Sequence, residues 1–219
     1  MAFDRKTFIA RRVAQEMGPG SIVNLGIGLP QRVPWFLPAG AGVILQGENG
    51  IIDFGPPASV AEIDTDYFDA GVTFVTLKPG TSFMNSADCF ALVRGGHIDV
   101  TVLGALQVDE EGNLANWIVP GKMIAGFGGA MDLVTCTGKV IVAMEHTNNG
   151  NPKIFKRCSY PLTAARCVDL IVTDMAVIEV TGQGLLVTEI AEGLTREDLV
   201  HATEASLRFA DNPKVMARE

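Results

Sequence analysis

A single acidic residue stands between glycines at Gly47-Glu48-Asn49-Gly50, directly after the apolar run Val43-Ile44-Leu45-Gln46. A strand that ends in a glycine-flanked carboxylate sets that side chain at the lip of a sheet, where open backbone lets a reactant approach closely. A carboxylate so placed can serve as a nucleophile. The same residues also read as a hairpin, because Asn-Gly is the strongest short hairpin signal. In that reading Val43 to Gln46 pairs with Ile51 to Phe54, and Glu48 is merely solvated. Taken alone, the tetrapeptide favours the hairpin.

Two further glycine-rich turns change the balance: Gly26-Ile27-Gly28 and Gly126-Phe127-Gly128-Gly129-Ala130-Met131-Asp132. The first resembles a dinucleotide fingerprint, but Gln31 occupies the position that needs a third Gly or Ala, so a nicotinamide site is not expected. What remains is a strand-to-helix turn whose N–H groups, at Gly26 and Gly28, can meet an oxyanion, a phosphate or a ligand amide. Asn24, just before it, offers a donor and an acceptor to such an amide, or equally a local turn bond. In the third turn, Gly128-Gly129-Ala130 can leave N–H groups unpaired and aimed at one point, which suits a tetrahedral oxyanion. Close backbone packing would call for the same glycines. Asp132 is then a first-turn residue that complements the helix dipole.

These turns need strands and helices to hold them. Asp4 caps an expected first helix in which Ile9, Val13 and Met17 recur at four-residue spacing, and Gly18-Pro19-Gly20 ends it. Strands are expected at Ser21 to Leu25, Val43 to Gln46, Val72 to Leu77, Ile98 to Leu103, Val140 to Met144 and Leu170 to Thr173. Several are apolar on both faces, which calls for a mainly parallel sheet covered by helices on both sides, an α/β fold. Pro30 suits the first turn of a short helix, and Ser86 to Val93 reads as another. Gly182-Gln183-Gly184 marks a late hairpin between Val177 to Val180 and Leu185 to Thr188. A capping box at Thr195 to Asp198 opens a last helix expected to run through Leu207, with fraying after Asp211.

The chain has 219 residues, 47% of them apolar and 19% charged, with a formal net charge of −8. That fits one domain over residues 1–219 with a sizeable core, and argues against a nucleic-acid or anionic-membrane partner. Cys89, Cys136, Cys158 and Cys167 lack Cys-x-x-Cys spacing and read as reduced core residues, and His97, His146 and His201 are too dispersed for a metal site. No apolar run has the length of a membrane span, and no leader pattern opens the chain, so a cytoplasmic address is expected. His97, Glu145, His146 and Trp117 read as structural.

Nearly end to end, the chain resembles the β subunit of two-subunit family I CoA-transferases, the acetate, butyrate and acetoacetate (3-oxoacid) type. The resemblance rests on Val23-Asn24-Leu25-Gly26-Ile27-Gly28-Leu29-Pro30, Glu48-Asn49-Gly50, Arg94-Gly95-Gly96-His97-Ile98-Asp99 and Gly104-Ala105-Leu106-Gln107-Val108-Asp109. It extends through Gly112-Asn113-Leu114-Ala115-Asn116-Trp117, Pro120-Gly121-Lys122-Met123, Gly128-Gly129-Ala130-Met131-Asp132-Leu133 and Ala143-Met144-Glu145-His146. It implies the CoA-transferase (sugar-isomerase-like) version of the α/β fold. It also implies a nucleophile, Glu48, that carries CoA as a glutamyl thioester between an acyl-CoA and acetate, acetoacetate, butyrate or succinate. By the same resemblance the Gly129 N–H is one arm of an oxyanion hole and Asn24 contacts the pantetheine arm, with Gly26, Gly28, Asn49, Gly50 and Gly128 around the substrate. Coenzyme A enters as substrate, with no tightly bound cofactor and no metal. The second oxyanion donor comes from an α subunit, in an assembly of two α and two β chains.

Two departures from the family pattern stand out. Gly47 replaces the usual Ser, which relaxes the backbone beside the nucleophile, and the Phe54 to Asp66 segment is longer than expected. An acyl-CoA hydrolase on the same scaffold, or a ligand-sensing module without turnover, are the alternative readings.

Overall fold

The computed structural model describes residues 4–218. Its main sheet has ten strands, here labelled β1 (Ile22–Leu25), β2 (Ile44–Gln46), β3 (Ile51–Ile52), β4 (Ser82–Phe83), β5 (Val100–Leu103), β6 (Lys139–Ala143), β7 (Leu170–Val172), β8 (Ala176–Thr181), β9 (Gly184–Ala191) and β10 (Leu207–Met216). They lie in the order β10-β9-β8-β7-β6-β5-β1-β2-β3-β4. The centre, β7-β6-β5-β1-β2, is wholly parallel. Antiparallel strands extend it on both sides, β7-β8-β9 at one end and β2-β3-β4 at the other. The chain therefore moves outward from β1 to β2, then returns to the other side of β1 to lay down β5. Such a reversal leaves a crevice at the carboxyl ends of the two strands that flank it.

The central strands are buried on both faces, and alternate residues serve different cores. Val100 and Val102 of β5, with Ile141 and Ala143 of β6, pack against Phe8, Ile9 and Val13 of the first helix, α1 (Arg5–Ala14). Val140 and Val142 of β6 face the opposite layer, with Val93 of α2 (Ser86–Arg94), Leu133 of α3 (Ala130–Cys136) and Leu199 of α4 (Arg196–Ala202). This two-sided burial is why the strands read as continuous rather than alternating apolar runs. Asp4 caps α1 by accepting from the Lys6 N–H, and Asn85 caps α2 by accepting from the Asp88 N–H at 2.9 Å. The Pro30 segment is a 3-10 helix, Leu29–Phe36, with a second proline inside it, Pro34.

Three expectations are corrected. Val72 to Leu77 is no strand; Phe74 and Val75 make only isolated bridges, to Phe68 and Pro57. The last helix ends at Ala202 rather than continuing through Leu207, and the residues after Asp211 are not frayed. Leu207–Met216 is instead the edge strand β10, parallel to β9, with a break in register between Val187 and Glu189.

His146, expected to be structural, is fully buried just beyond β6. Its ring nitrogens lie 2.9 Å from the hydroxyls of Thr173 and Thr203, and its backbone N–H donates to Asp174 at 2.8 Å. Burial lowers its pKa to about 4, against an ordinary 6.5. The unfolded chain then takes up a proton that the folded chain refuses, so stability is full above pH 6.5 and declines as the pH falls towards 4. The decline amounts to about 3 kcal/mol at most. Urea unfolding at pH 7 and pH 5 should show this loss, and His146→Gln should flatten it.

Candidate active site

The loop after β2 is a hairpin, and its carboxylate is more than solvated. Gln46 pairs antiparallel with Ile52, Gly47 N–H donates to the Ile51 carbonyl at 2.9 Å, and Gly50 N–H closes back on the Gly47 carbonyl at 3.0 Å. Glu48 and Asn49 form the tip. Gly50 has φ +105°, and a Cβ there would overlap the Met84 carbonyl oxygen, while Met84 N–H donates to the Gly50 carbonyl at 2.9 Å. Gly50→Ala should therefore destabilise the chain by about 3 kcal/mol or displace the loop with comparable loss of activity. Denaturant midpoints, read beside turnover, check this.

Glu48 itself is half-buried and makes no ion pair with any described residue. Burial raises its pKa above the ordinary 4.5, and a hydrogen bond from the Gly129 N–H partly opposes that rise. A β-carbon on Gly129 would lie 2.5 Å from Glu48 Oε2 and 2.6 Å from Phe90 Cζ, so glycine is what lets α3 approach the carboxylate. The two sit beside a cavity of about 440 Å³, walled also by Asn49, Phe90, Arg94 and Gly128. Arg94 is paired with Asp132 and makes no ion pair with Glu48. Its Nε and one terminal nitrogen each donate to Asp132 at 2.9 Å, and its guanidinium carbon lies 5.6 Å from the centre of the Phe90 ring. The site thus presents a partly desolvated, unpaired carboxylate with one backbone donor, in a space of ligand size.

Beneath the loop runs a buried polar chain that the sequence did not reveal. Asn24 Nδ2 donates to Gln46 Oε1 at 2.7 Å, Gln46 Nε2 to Cys89 Sγ at 2.8 Å, and Cys89 Sγ to the Gly47 carbonyl at 3.1 Å. It ties β1, β2 and α2 to the residue before Glu48. The one available signal was Gln46, a polar residue at the end of an otherwise apolar strand. Asn24 is 1% exposed and outside the lining of the Glu48 cavity; it reaches the Glu48 loop through Gln46, and its Oδ1 has no hydrogen-bond partner among the described residues.

The remaining expected residues are distributed as follows. Gly128 lines the cavity with φ +49°. Asn49 is exposed and donates to the Phe68 carbonyl at 2.7 Å. Gly26 lies at the crevice, where a β-carbon would come within 2.9 Å of Leu103 Cδ2, and Gly28 N–H is taken by Gln31 Oε1 at 2.8 Å. At Gly47 an added β-carbon would sit 2.7 Å from Asn49 Oδ1, so a serine there requires Asn49 to turn. Glu145 and His146 follow β6, and with His97 they lie outside the lining of the Glu48 cavity. Among the described residues no group of His, Cys, Asp and Glu could hold a metal ion, all four cysteines are free, and no helix is long and apolar enough to cross a membrane.

The family model described as Coenzyme A transferase matches residues 6–202. The chain is 51% identical over 208 residues to the beta chain of the acetate CoA-transferase of Escherichia coli K12, covering 94% of this chain and 95% of that protein. It is 43% identical over 205 residues to one of the subunits of a probable succinyl-CoA:3-ketoacid coenzyme A transferase of Bacillus subtilis, covering 93% and 95%. Among solved structures, an acyl-CoA transferase apoenzyme from Escherichia coli O157:H7 superposes with a TM-score of 0.80 at 21% identity. That match covers all of this chain and 44% of the other, and at such identity it speaks to the fold alone.

Proposed function

This chain belongs to the coenzyme A transferase family as a β-type subunit, and from that premise we propose that it moves CoA from an acyl-CoA to a short-chain carboxylate or 3-oxoacid through a covalent thioester at Glu48. The observation that carries the reading is the unpaired, half-buried Glu48 carboxylate facing a cavity beside the Gly129 N–H. An oxygen of Glu48 attacks the thioester carbonyl carbon, and the C–S bond breaks to give a mixed anhydride and CoA thiolate. The thiolate then attacks the Glu48 carbonyl and expels the donor's carboxylate, leaving glutamyl-CoA. An acceptor carboxylate repeats the two steps in reverse and restores Glu48. No net proton transfer is needed, and the glutamyl thioester is close in energy to the donor thioester, so its free energy is retained rather than lost to water. This suits a site whose cavity lining contains no histidine.

Burial contributes by leaving the nucleophile weakly solvated, and the Gly129 N–H, which bonds the resting carboxylate, is placed to meet charge as it develops on a neighbouring carbonyl oxygen. One donor makes half of such a hole. The relatives are named as subunits, and an α subunit supplying the second donor completes the proposal, in an assembly of two α and two β chains. Exposed apolar side chains at Ile124, Phe127 and Met131, on and beside the Gly129 turn, support a partner on that side.

The test is to follow acetoacetyl-CoA consumption with and without acetate, for the chain alone and with its α subunit. Transfer predicts consumption that needs both. Consumption without an acceptor acid would establish the hydrolase reading instead.

A further inference from the structure

A larger cavity, about 750 Å³, opens in the crevice at the carboxyl ends of β1, β5 and β6, and its lining shares no residue with the cavity around Glu48. Lys153 enters it. The residue is half-buried, and its ammonium makes no hydrogen bond or ion pair with any described residue. The carboxylates that act on it through space are Glu145 and Asp174. Both are already engaged by Arg5, at 3.7 and 3.4 Å, and Asp174 also accepts from the His146 N–H. A partly desolvated ammonium without a hydrogen-bonded partner is costly, and it is the kind of group that a bound anion satisfies. Lys6 and Lys122 also line the cavity, so its cations outnumber its carboxylates in a protein of net charge −8. The rest of the wall mixes apolar side chains, Leu106, Met144 and Phe155 among them, with the polar Gln107, Thr147, Asn148 and Asn151.

We propose that this crevice is a second ligand site, separate from Glu48, which takes a small organic carboxylate with its anionic head on Lys153 and its hydrocarbon against Leu106, Met144 and Phe155. Position and chemistry agree, since ligands of open α/β sheets bind where strand order reverses and a few polar groups orient a body held by apolar walls. Burial lowers the Lys153 pKa to about 8, with Glu145 and Asp174 opposing the shift. An anion there binds the protonated form, so affinity falls as pH rises through about 8.

The site is tested by calorimetric titration of the chain in complex with its α subunit, using sodium butyrate, sodium succinate and inorganic phosphate as probes. Glu48→Ala provides the background, so that failure of the covalent mechanism and failure of this site are read separately. Carboxylate binding should weaken about tenfold or more in Lys153→Met. Lys153→Arg should restore binding and abolish its decline between pH 7 and 9, because Arg stays charged. Unchanged binding in Lys153→Met overturns the proposal. So does binding of phosphate without carboxylates, or binding by the free chain that the α subunit abolishes. Unchanged thermal midpoints in both variants exclude misfolding as the cause.

Discussion

Glu48→Ala should lower CoA transfer by about four orders of magnitude or more, the scale seen when the nucleophile of a covalent mechanism is removed. Glu48→Gln should do the same, because an amide keeps the shape and loses the nucleophilic oxygen. Neither change should destabilise the chain. Glu48 sits at a hairpin tip, outside both cores, and burial raises its pKa. A carboxyl group with a raised folded pKa binds its proton more tightly when folded, so its ionised form at neutral pH opposes folding. Truncation removes that opposition, and the thermal midpoint should hold or rise. The sign also fixes the pH profile of the parent enzyme. The proposed mechanism needs the carboxylate, so the acid limb of kcat/KM should lie above the ordinary 4.5 of a glutamic acid.

Gly129→Ala should lower kcat by about two to three orders of magnitude, the range found when an oxyanion donor is lost. The backbone at Gly129 has φ −85°, which alanine adopts freely, so the effect arises from space alone. The new methyl would lie 2.5 Å from Glu48 Oε2 and within 2.7 Å of two Phe90 ring carbons. Relief requires the carboxylate or α3 to move, and either movement separates the Gly129 N–H from the reacting centre. Overpacking of this kind costs about 1 to 3 kcal/mol of stability. Steady-state kinetics should therefore show a fall in kcat far larger than any change in KM, in a protein that remains folded at assay temperature.

The parallel centre of the sheet was legible because β1, β2, β5, β6 and β7 are largely apolar and lie between two cores, with Asn24, Gln46 and Thr101 as buried polar exceptions. The edge was not. β10 carries Arg208, Asp211, Asn212, Pro213 and Lys214, which an edge strand tolerates because one side meets solvent, and the register break opposite Thr188 interrupts its alternation. Val72 to Leu77 has strand composition but makes isolated bridges in place of a ladder, a distinction that composition does not carry. In the site, Gly47 to Gly50 does form the hairpin, and its turn leaves Glu48 beside a cavity, so the hairpin does not exclude the proposed nucleophile. The approach of Gly129 to Glu48 joins residues 81 positions apart, and spacing gives no sign of it; only the family resemblance pointed there. Lys153 left no trace in sequence, because a lysine is unusual there only through what surrounds it.

A covalent bond between Glu48 and CoA is the feature on which the mechanism stands, and intact mass measurement tests it most directly. The chain with its α subunit, exposed briefly to acetoacetyl-CoA, should gain the mass of one CoA less water. The adduct should discharge on addition of acetate and be absent from Glu48→Ala. An unchanged mass while the thioester is consumed, or an adduct that survives in Glu48→Ala, would contradict Glu48 as the nucleophile.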